Sequence, residues 1–274
     1  MRGGYIAGVD LGATNVRVVI ADQDGNIEAR RQFATPGDPP SDAIARIRRA
    51  IDELARGVWV GASVDAIGIA LPGMVDPDGG LVASVANIPG WDDVPLAALL
   101  AGDNRTPVAM ENDANAAAIG EGWLGAAREL RHYVFLALGT GIGGGVVVDG
   151  RLHRGARFLG GEVAFFSMTR EQVRTGGWNQ NLESLVGGRA IAARAGELLG
   201  PRAKAADLFD AARGGDPAAA AWLQATHEYL AMAITDIIVL LDPQVVVLGG
   251  GVVAAQDALL IDPVRDLVHR NTPW

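Results

Sequence analysis

Residues 133–150 read YVFLALGTGIGGGVVVDG, and residues 5–25 read YIAGVDLGATNVRVVIADQDG. The two stretches share one plan. An apolar run (5–10 and 133–138) leads into a loop of glycine and threonine (11–15 and 139–145). A β-branched run follows (16–20 and 146–148), and an Asp-Gly pair closes each unit. Strand, glycine loop, strand and Asp-Gly turn is the pattern of a β-hairpin. The second loop formally contains G-x-G-x-x-G, at Gly139, Gly141 and Gly144. To bind a dinucleotide that pattern needs a helix directly after it, and here a strand follows. There is no GxxxxGK[ST] stretch either. What remains is a glycine loop between two strands, which can wrap phosphate oxygens with its backbone N–H groups.

One such unit in each half of the chain predicts two related lobes, 1–115 and 116–274, facing each other across a cleft. Between the units, residues 41–56 read as a helix with Ile44, Ile47, Ile51 and Leu54 on one face and Ser41 or Asp42 as N-cap. A buried strand over 64–71 ends at Pro72-Gly73, a loop of turn formers covers 87–95, and 108–111 is a short strand. Helices are expected over 115–130, despite Gly120, Gly122 and Gly125, over 185–199, and over 217–241, where Asp242-Pro243 stops the last one. An apolar strand over 245–248 then opens into Gly249-Gly250-Gly251. Strands alternating with helices give an α/β class.

Composition narrows the partners. Among 274 residues, 49% are hydrophobic and 20% charged, the balance of a folded chain. The charges are 23 basic against 32 acidic, a net of −9. Such acidity argues against a nucleic-acid or anionic-membrane surface, both of which need clustered Lys and Arg. A nucleotide is still allowed, since backbone amides and a divalent cation can hold its few phosphates. The chain has no cysteine, which excludes disulfides and thiolate zinc sites. The apolar run 234–241 is too short for the roughly 20 residues a membrane span requires, and residues 1–4 run straight into a strand without a signal-type stretch. A soluble, cytoplasmic protein is the expectation.

Two segments carry chemistry. In Asp10-Leu11-Gly12-Ala13-Thr14-Asn15 a carboxylate ends an apolar strand, and a glycine turn and a hydroxyl follow. The carboxylate suits a hydrated Mg²⁺, while the turn's N–H groups and Thr14 suit phosphoryl oxygens; a plain hairpin turn favours the same residues. Glu111-Asn112-Asp113-Ala114-Asn115 places four polar side chains between apolar residues 108–110 and alanines 116–118. Asp113 can accept the proton of a substrate hydroxyl while Asn112 orients the ring, or either can simply cap the helix that follows.

These loops, in this order, resemble the ROK sugar kinases (repressor, open reading frame, kinase), and within them the bacterial glucokinases. The resemblance runs from about residue 5 to 251. It includes Leu71-Pro72-Gly73, Asn87-Ile88-Pro89-Gly90-Trp91, residues 155–162, Leu182-Glu183 and residues 242–251. It implies a two-lobed, actin-like ATPase (ribonuclease H-like) fold, with ATP and Mg²⁺ as cofactors. It makes Asp113 the catalytic base and puts Asn87, Asn112, Asp113, Glu162 and Glu183 around the sugar, with Gly73 nearby. Asp10, Gly12, Thr14 and Asn15 would face Mg²⁺ and the transferred phosphoryl group. Gly139, Thr140 and Gly141 would hold the other phosphates, and Gly249, Gly250 and Gly251 would border the adenosine. A homodimer is also implied.

The chain departs from the family in two places. Most members carry a His three residues after the glutamate that Glu162 matches, then a zinc-binding CxCGxxGCxE run. Here Phe165 takes the His position, and Arg174, Gly176 and Asn181 take cysteine positions. No zinc is expected, and residues 176–179 must be held by packing and hydrogen bonds. The family also continues past the triple glycine to a further strand and terminal helix, whereas this chain ends at Trp274. The expected activity is ATP-dependent phosphorylation of a hexose hydroxyl, glucose to glucose 6-phosphate first. N-acetylmannosamine, N-acetylglucosamine, fructose and mannose stay open as acceptors, and polyphosphate as donor. A non-catalytic sugar-binding member is the alternative; a repressor lacks room for a DNA-binding module before residue 5.

Overall fold

A computed structural model describes residues 4–35, 39–58, 64–85, 88, 90–176 and 180–272. The chain divides into two compact units, Met1–Ala116 with Ala156–Leu159, and Ala117–Gly155 with Gly160–Trp274.

The first unit is built on alternating burial. In β1 (Ile6–Leu11) Ala7, Val9 and Leu11 point inward, and in β2 (Asn15–Ala21) Val16, Val18 and Ile20 do the same. The strands pair antiparallel with Asp10 opposite Arg17 and Leu11 opposite Val16. β3 (Ile27–Ala34) extends that meander. Helix α1 (Pro40–Val58) buries Ala43, Ile44, Ile47, Ala50, Ile51 and Ala55, a stripe at three- and four-residue spacing that packs on β2 and β3. β4 (Ala66–Leu71) joins β1 in parallel, β5 (Met74–Asp76) and β6 (Leu81–Ser84) form a small hairpin, and α2 (Leu96–Ala101) follows. β7 (Val108–Asn112) then lies parallel to β4, giving a sheet ordered β3-β2-β1-β4-β7. Helix α3 (Asp113–Leu124) starts directly on β7. It begins two residues before the expected 115–130 helix and ends six residues sooner, at Leu124, just beyond which the Glu121 carboxylate accepts the Ala126 N–H at 2.8 Å.

The second unit repeats the theme. β8 (Tyr133–Leu138) pairs antiparallel with β9 (Ile142–Val148), which pairs with β10 (Arg151–Leu152), and β11 (Val245–Gly249) runs parallel to β8. The order is β10-β9-β8-β11. Gln244 pins that last register: its Oε1 accepts the Arg131 and His132 N–H groups at 2.8 and 3.0 Å, while its own N–H donates to His132 O at 2.7 Å. β9 takes in Gly143, Gly144 and Gly145, which the sequence pattern assigns to the loop. Gly144 and Gly161 approach so closely that a Cβ on either would stand 2.5 Å from the other's carbonyl oxygen.

Helices α4 (Arg170–Thr175), α5 (Leu182–Val186), α6 (Gly188–Leu199), α7 (Ala205–Arg213), α8 (Pro217–Leu241) and α9 (Gly251–Asn271) complete the unit. The single helix expected over 185–199 is two helices broken at Gly187, whose ψ of 155° is extended. The break frees the first amides of α6 to donate elsewhere: Gly188 N–H to Gly139 O and Arg189 N–H to Thr140 O, both at 2.9 Å. α8 has the expected bounds, with Asp216 as N-cap and Pro217 in its first turn. α9 contains Pro263, which has no N–H to give the carbonyl of Leu259 four residues earlier. His227 on α8 supplies the missing donor, with Nε2 2.6 Å from Leu259 O. Among the described residues no helix is long and apolar enough to cross a membrane.

Candidate active site

In the first unit the expected residues gather at the carboxyl ends of the parallel strands β1, β4 and β7, the edge where open α/β sheets present their ligand-binding loops. Asp10 closes β1. Its carboxylate is taken by Arg17, with Nη1 2.6 Å from Oδ2, because the hairpin register sets the two residues opposite each other. The turn that follows is held from one side. The Gly12 N–H donates to Asn15 O at 3.0 Å, while the Thr35 hydroxyl and N–H donate to Gly12 O and Thr14 O at 2.6 and 2.9 Å. In a planar trans peptide the next N–H points opposite to the carbonyl. Anchoring Gly12 O therefore turns the Ala13 N–H away from Thr35, and Ala13 and Thr14 are both exposed.

Gly73 follows β4 with φ of +95°, and a Cβ there would stand 2.2 Å from Ser84 O, so only glycine fits. Its carbonyl accepts the Asn112 Nδ2–H at 3.1 Å. Asn112 also caps α3, its Oδ1 accepting the Ala114 and Asn115 N–H groups at 3.0 and 3.3 Å. Below it, the buried Glu111 accepts the Asn112 N–H at 3.1 Å and the Asn115 Nδ2–H at 3.3 Å. With Asn112 as the cap, Asp113 stands as the first helical residue with its side chain at the surface and Oδ1 accepting the Ala114 N–H at 2.8 Å. Crowding by surrounding protein pushes the Asp113 carboxyl above its ordinary value, and the negative charge of Asp10 adds to the rise.

In the second unit the loop after β8 is anchored in the same manner. Gly139 O and Thr140 O accept from the start of α6, so the N–H groups of Thr140 and Gly141 face away from that helix. Glu183, in the first turn of α5, accepts the Ile142 N–H at 2.9 Å on Oε2. Glu162 precedes a 3-10 turn (Val163–Phe165), and this turn, α5 and β9 pack on one another, which gathers the Glu162 and Glu183 segments against the same strand. Gly249, Gly250 and Gly251 lead from β11 into α9. Gly250 has φ of +92° and lies where a Cβ would meet Leu138 O at 2.5 Å.

The sequence pattern that defines the ROK family matches residues 6–272. The chain belongs to the ROK family. This ROK protein is 35% identical to the glucokinase of Thermotoga maritima over 96% of its own length and 86% of that enzyme's. It is 32% identical to the glucokinase of Halalkalibacterium halodurans, over 93% and 83%. Among solved structures, the ROK hexokinase of Thermus thermophilus superimposes with a TM-score of 0.84 at 32% identity, covering 97% of this chain and 88% of that one. A ROK family glucokinase from Streptomyces griseus in complex with glucose and AMPPNP gives 0.77 at 29% identity, over 99% and 90%. The α/β, actin-like ATPase class read from the sequence therefore holds, and this ROK protein is a sugar kinase.

Residue by residue, the first unit carries Asp10, Gly12, Thr14, Asn15, Gly73, Asn112 and Asp113, and the second carries Gly139, Thr140, Gly141, Glu162, Glu183, Gly249, Gly250 and Gly251. Asn87 lies outside the described residues. Arg17 and Thr35 were missed. Counting the hairpin register back from the turn sets Arg17 opposite Asp10; Thr35, arriving from the far end of β3, left no local trace. Around the positions where the resemblance sets cysteines, hydrogen bonds join the described residues. The buried Asn181 bridges to Ser167 and caps α5 through Ser184 N–H at 2.8 Å. Thr169 caps α4, and the buried Gln172 accepts the Met168 N–H at 3.2 Å. Residues 177–179 lie outside the described residues.

Proposed function

We propose that this ROK protein transfers the γ-phosphoryl group of MgATP to a hexose hydroxyl, with glucose as the first substrate and Asp113 as general base. The observation that carries the assignment is the geometry of the strand–helix junction. Asn112 accepts the Asn115 N–H and shares that of Ala114, and the Asp113 carboxylate, touching the helix only through Oδ1, stands at the surface at the carboxyl edge of the sheet. A carboxylate accepting a hydroxyl proton in a loose phosphoryl-transfer step contributes about 10²–10⁴ in rate through alignment and late proton uptake. Asn112 and Gly73, tied to each other, are the proposed sugar contacts of the first unit; the resemblance adds Asn87, Glu162 and Glu183 as proposed sugar ligands.

Asp10, an oxygen donor at the same sheet edge, fits a hard divalent cation. When bound, Mg²⁺ neutralises charge on the phosphates. Asp10 would hold it, with Arg17 setting the carboxylate's orientation. The amides at 13 and 140–141, the Thr14 hydroxyl and Asn15 would grip the phosphates. Gly249, Gly250 and Gly251, with no side chains in the way, would let the nucleoside approach the start of α9.

One observation keeps other acceptors in play. Phe165, 47% exposed, stands where the resemblance expects a sugar-contacting His, and losing one polar partner changes discrimination between hydroxyl patterns. The test is coupled ADP release with ATP and a panel of glucose, mannose, fructose, N-acetylglucosamine and N-acetylmannosamine, repeated with polyphosphate as donor. Sugar-dependent ADP release, highest with glucose, is expected; ATP consumption that no hexose stimulates refutes the kinase reading.

A further inference from the structure

Glu183 lies 41 residues along the chain from the loop it touches. Residues 139–142 are fixed from two directions. On one side the α6 amides of Gly188 and Arg189 hold the carbonyls of Gly139 and Thr140. On the other, Glu183 Oε2 accepts the Ile142 N–H at 2.9 Å, and Gly141 is so close that a Cβ there would stand 2.1 Å from the same oxygen. Among the described residues this is the one side-chain hydrogen bond to the loop, and Oε1 of the same carboxylate takes none.

That arrangement has an electrostatic consequence. A carboxylate behind a loop that binds phosphates repels them, and the repulsion weakens when donors engage its second oxygen and disperse its charge. Sugar hydroxyls are such donors. Engaging Oε1 also holds the side chain in the rotamer that keeps Oε2 on Ile142. We infer that Glu183 is a positioning residue that couples the two substrates: a sugar on Oε1 fixes the phosphate loop through Oε2, so that bound sugar raises affinity for the nucleotide, and bound nucleotide raises affinity for sugar by the same factor. This rests on the kinase reading above, which makes Glu183 a sugar ligand.

The probes are glucose and MgAMPPNP, measured by titration calorimetry alone and together. Wild type is expected to bind AMPPNP at least about fivefold more tightly with saturating glucose, with the reciprocal effect equal in size. Gly141→Ala changes the phosphate loop alone, yet its methyl must displace the Glu183 carboxylate. It is expected to weaken glucose binding in the absence of nucleotide about tenfold and to bring the coupling within about twofold of unity. Glu183→Gln retains a carbonyl oxygen for Ile142 but carries no charge, so it is expected to keep the part of the coupling carried by the side-chain rotamer and to lose the electrostatic part. Glu183→Asp, one methylene short of Ile142, is expected to lose it while still binding glucose; it decides the matter should Gly141→Ala not fold. Wild-type coupling of unity overturns the inference, as does unchanged nucleotide-free glucose affinity in folded Gly141→Ala, or full coupling in Glu183→Asp. Failure of the underlying kinase reading looks different: wild type then shows neither glucose binding nor sugar-stimulated ADP release.

Discussion

Replacing His227 by Phe removes the donor that Pro263 makes necessary. The Leu259 carbonyl cannot be bonded from position 263 within its own helix, and His227 Nε2 meets it at 2.6 Å from α8. Without that donor a partly buried carbonyl is left unsatisfied, at a cost of about 1–3 kcal/mol. In a unit of this size each kcal/mol moves Tm by about 2–4 °C, so His227→Phe should melt about 5 °C lower. The decisive comparison is the same substitution combined with Pro263→Ala, where position 263 regains an N–H and α9 satisfies Leu259 itself. There the loss of His227 should cost no more than about 0.5 kcal/mol, giving a coupling of about 1–2 kcal/mol in the double-mutant cycle. Thermal melts and urea titrations of the four proteins provide the measurement. Acid adds a second signature. Burial holds the His227 imidazole below its ordinary value, so the unfolded chain binds the proton more readily. The stability His227 provides is complete above about pH 6.5 and declines as the pH falls below it, and the gap between wild type and His227→Phe narrows with it. Equal losses of Tm with Pro263 present and with Pro263→Ala in place would refute the reasoning.

Other expectations follow from single contacts. Gly73→Ala forces a Cβ against Ser84 O at positive φ and should lower stability by about 1–3 kcal/mol while raising the sugar KM, read by melting and by coupled assay. Asn181→Ala removes the α5 cap that positions Glu183. A loss of about 1 kcal/mol, with a rise in sugar KM larger than any change in kcat, is expected from melting and kinetics, and unchanged KM contradicts the role. Asp113→Asn should melt higher than wild type at neutral pH. The carboxyl of Asp113 is raised in the fold, so the folded state binds the proton more readily and ionisation opposes folding. The gain should vanish as the pH falls towards about 4, and a pH-independent difference in Tm would contradict the raised value.

Much of this was legible in the sequence because it is local. Alternating or fully apolar runs ending in glycine loops gave both hairpins, and Pro217 with Asp242-Pro243 gave both ends of α8. What escaped was set by distant partners. The break at Gly187 exists because loop 139–140 takes the first amides of α6, and nothing in residues 185–199 announces that. β3 is exposed over most of its length, so it lacks the apolar alternation that marks a strand. The Arg17–Asp10 pair needed the hairpin register, and the Glu183–Ile142 bond joins residues 41 positions apart. The sequence leaves Asn112 and Asp113 together as site or cap; in the fold Asn112 accepts the Ala114 and Asn115 N–H groups and Asp113 accepts that of Ala114 as well.

The measurement closest to the central claim is turnover by Asp113→Asn. Asparagine keeps the shape and can still accept the Ala114 N–H, yet it cannot take a hydroxyl proton. With MgATP and the preferred sugar, kcat should fall by about 10²-fold or more, while the sugar Kd, measured without nucleotide, stays within about threefold of wild type. A variant that binds sugar normally and turns over near the wild-type rate would remove Asp113 from the chemistry.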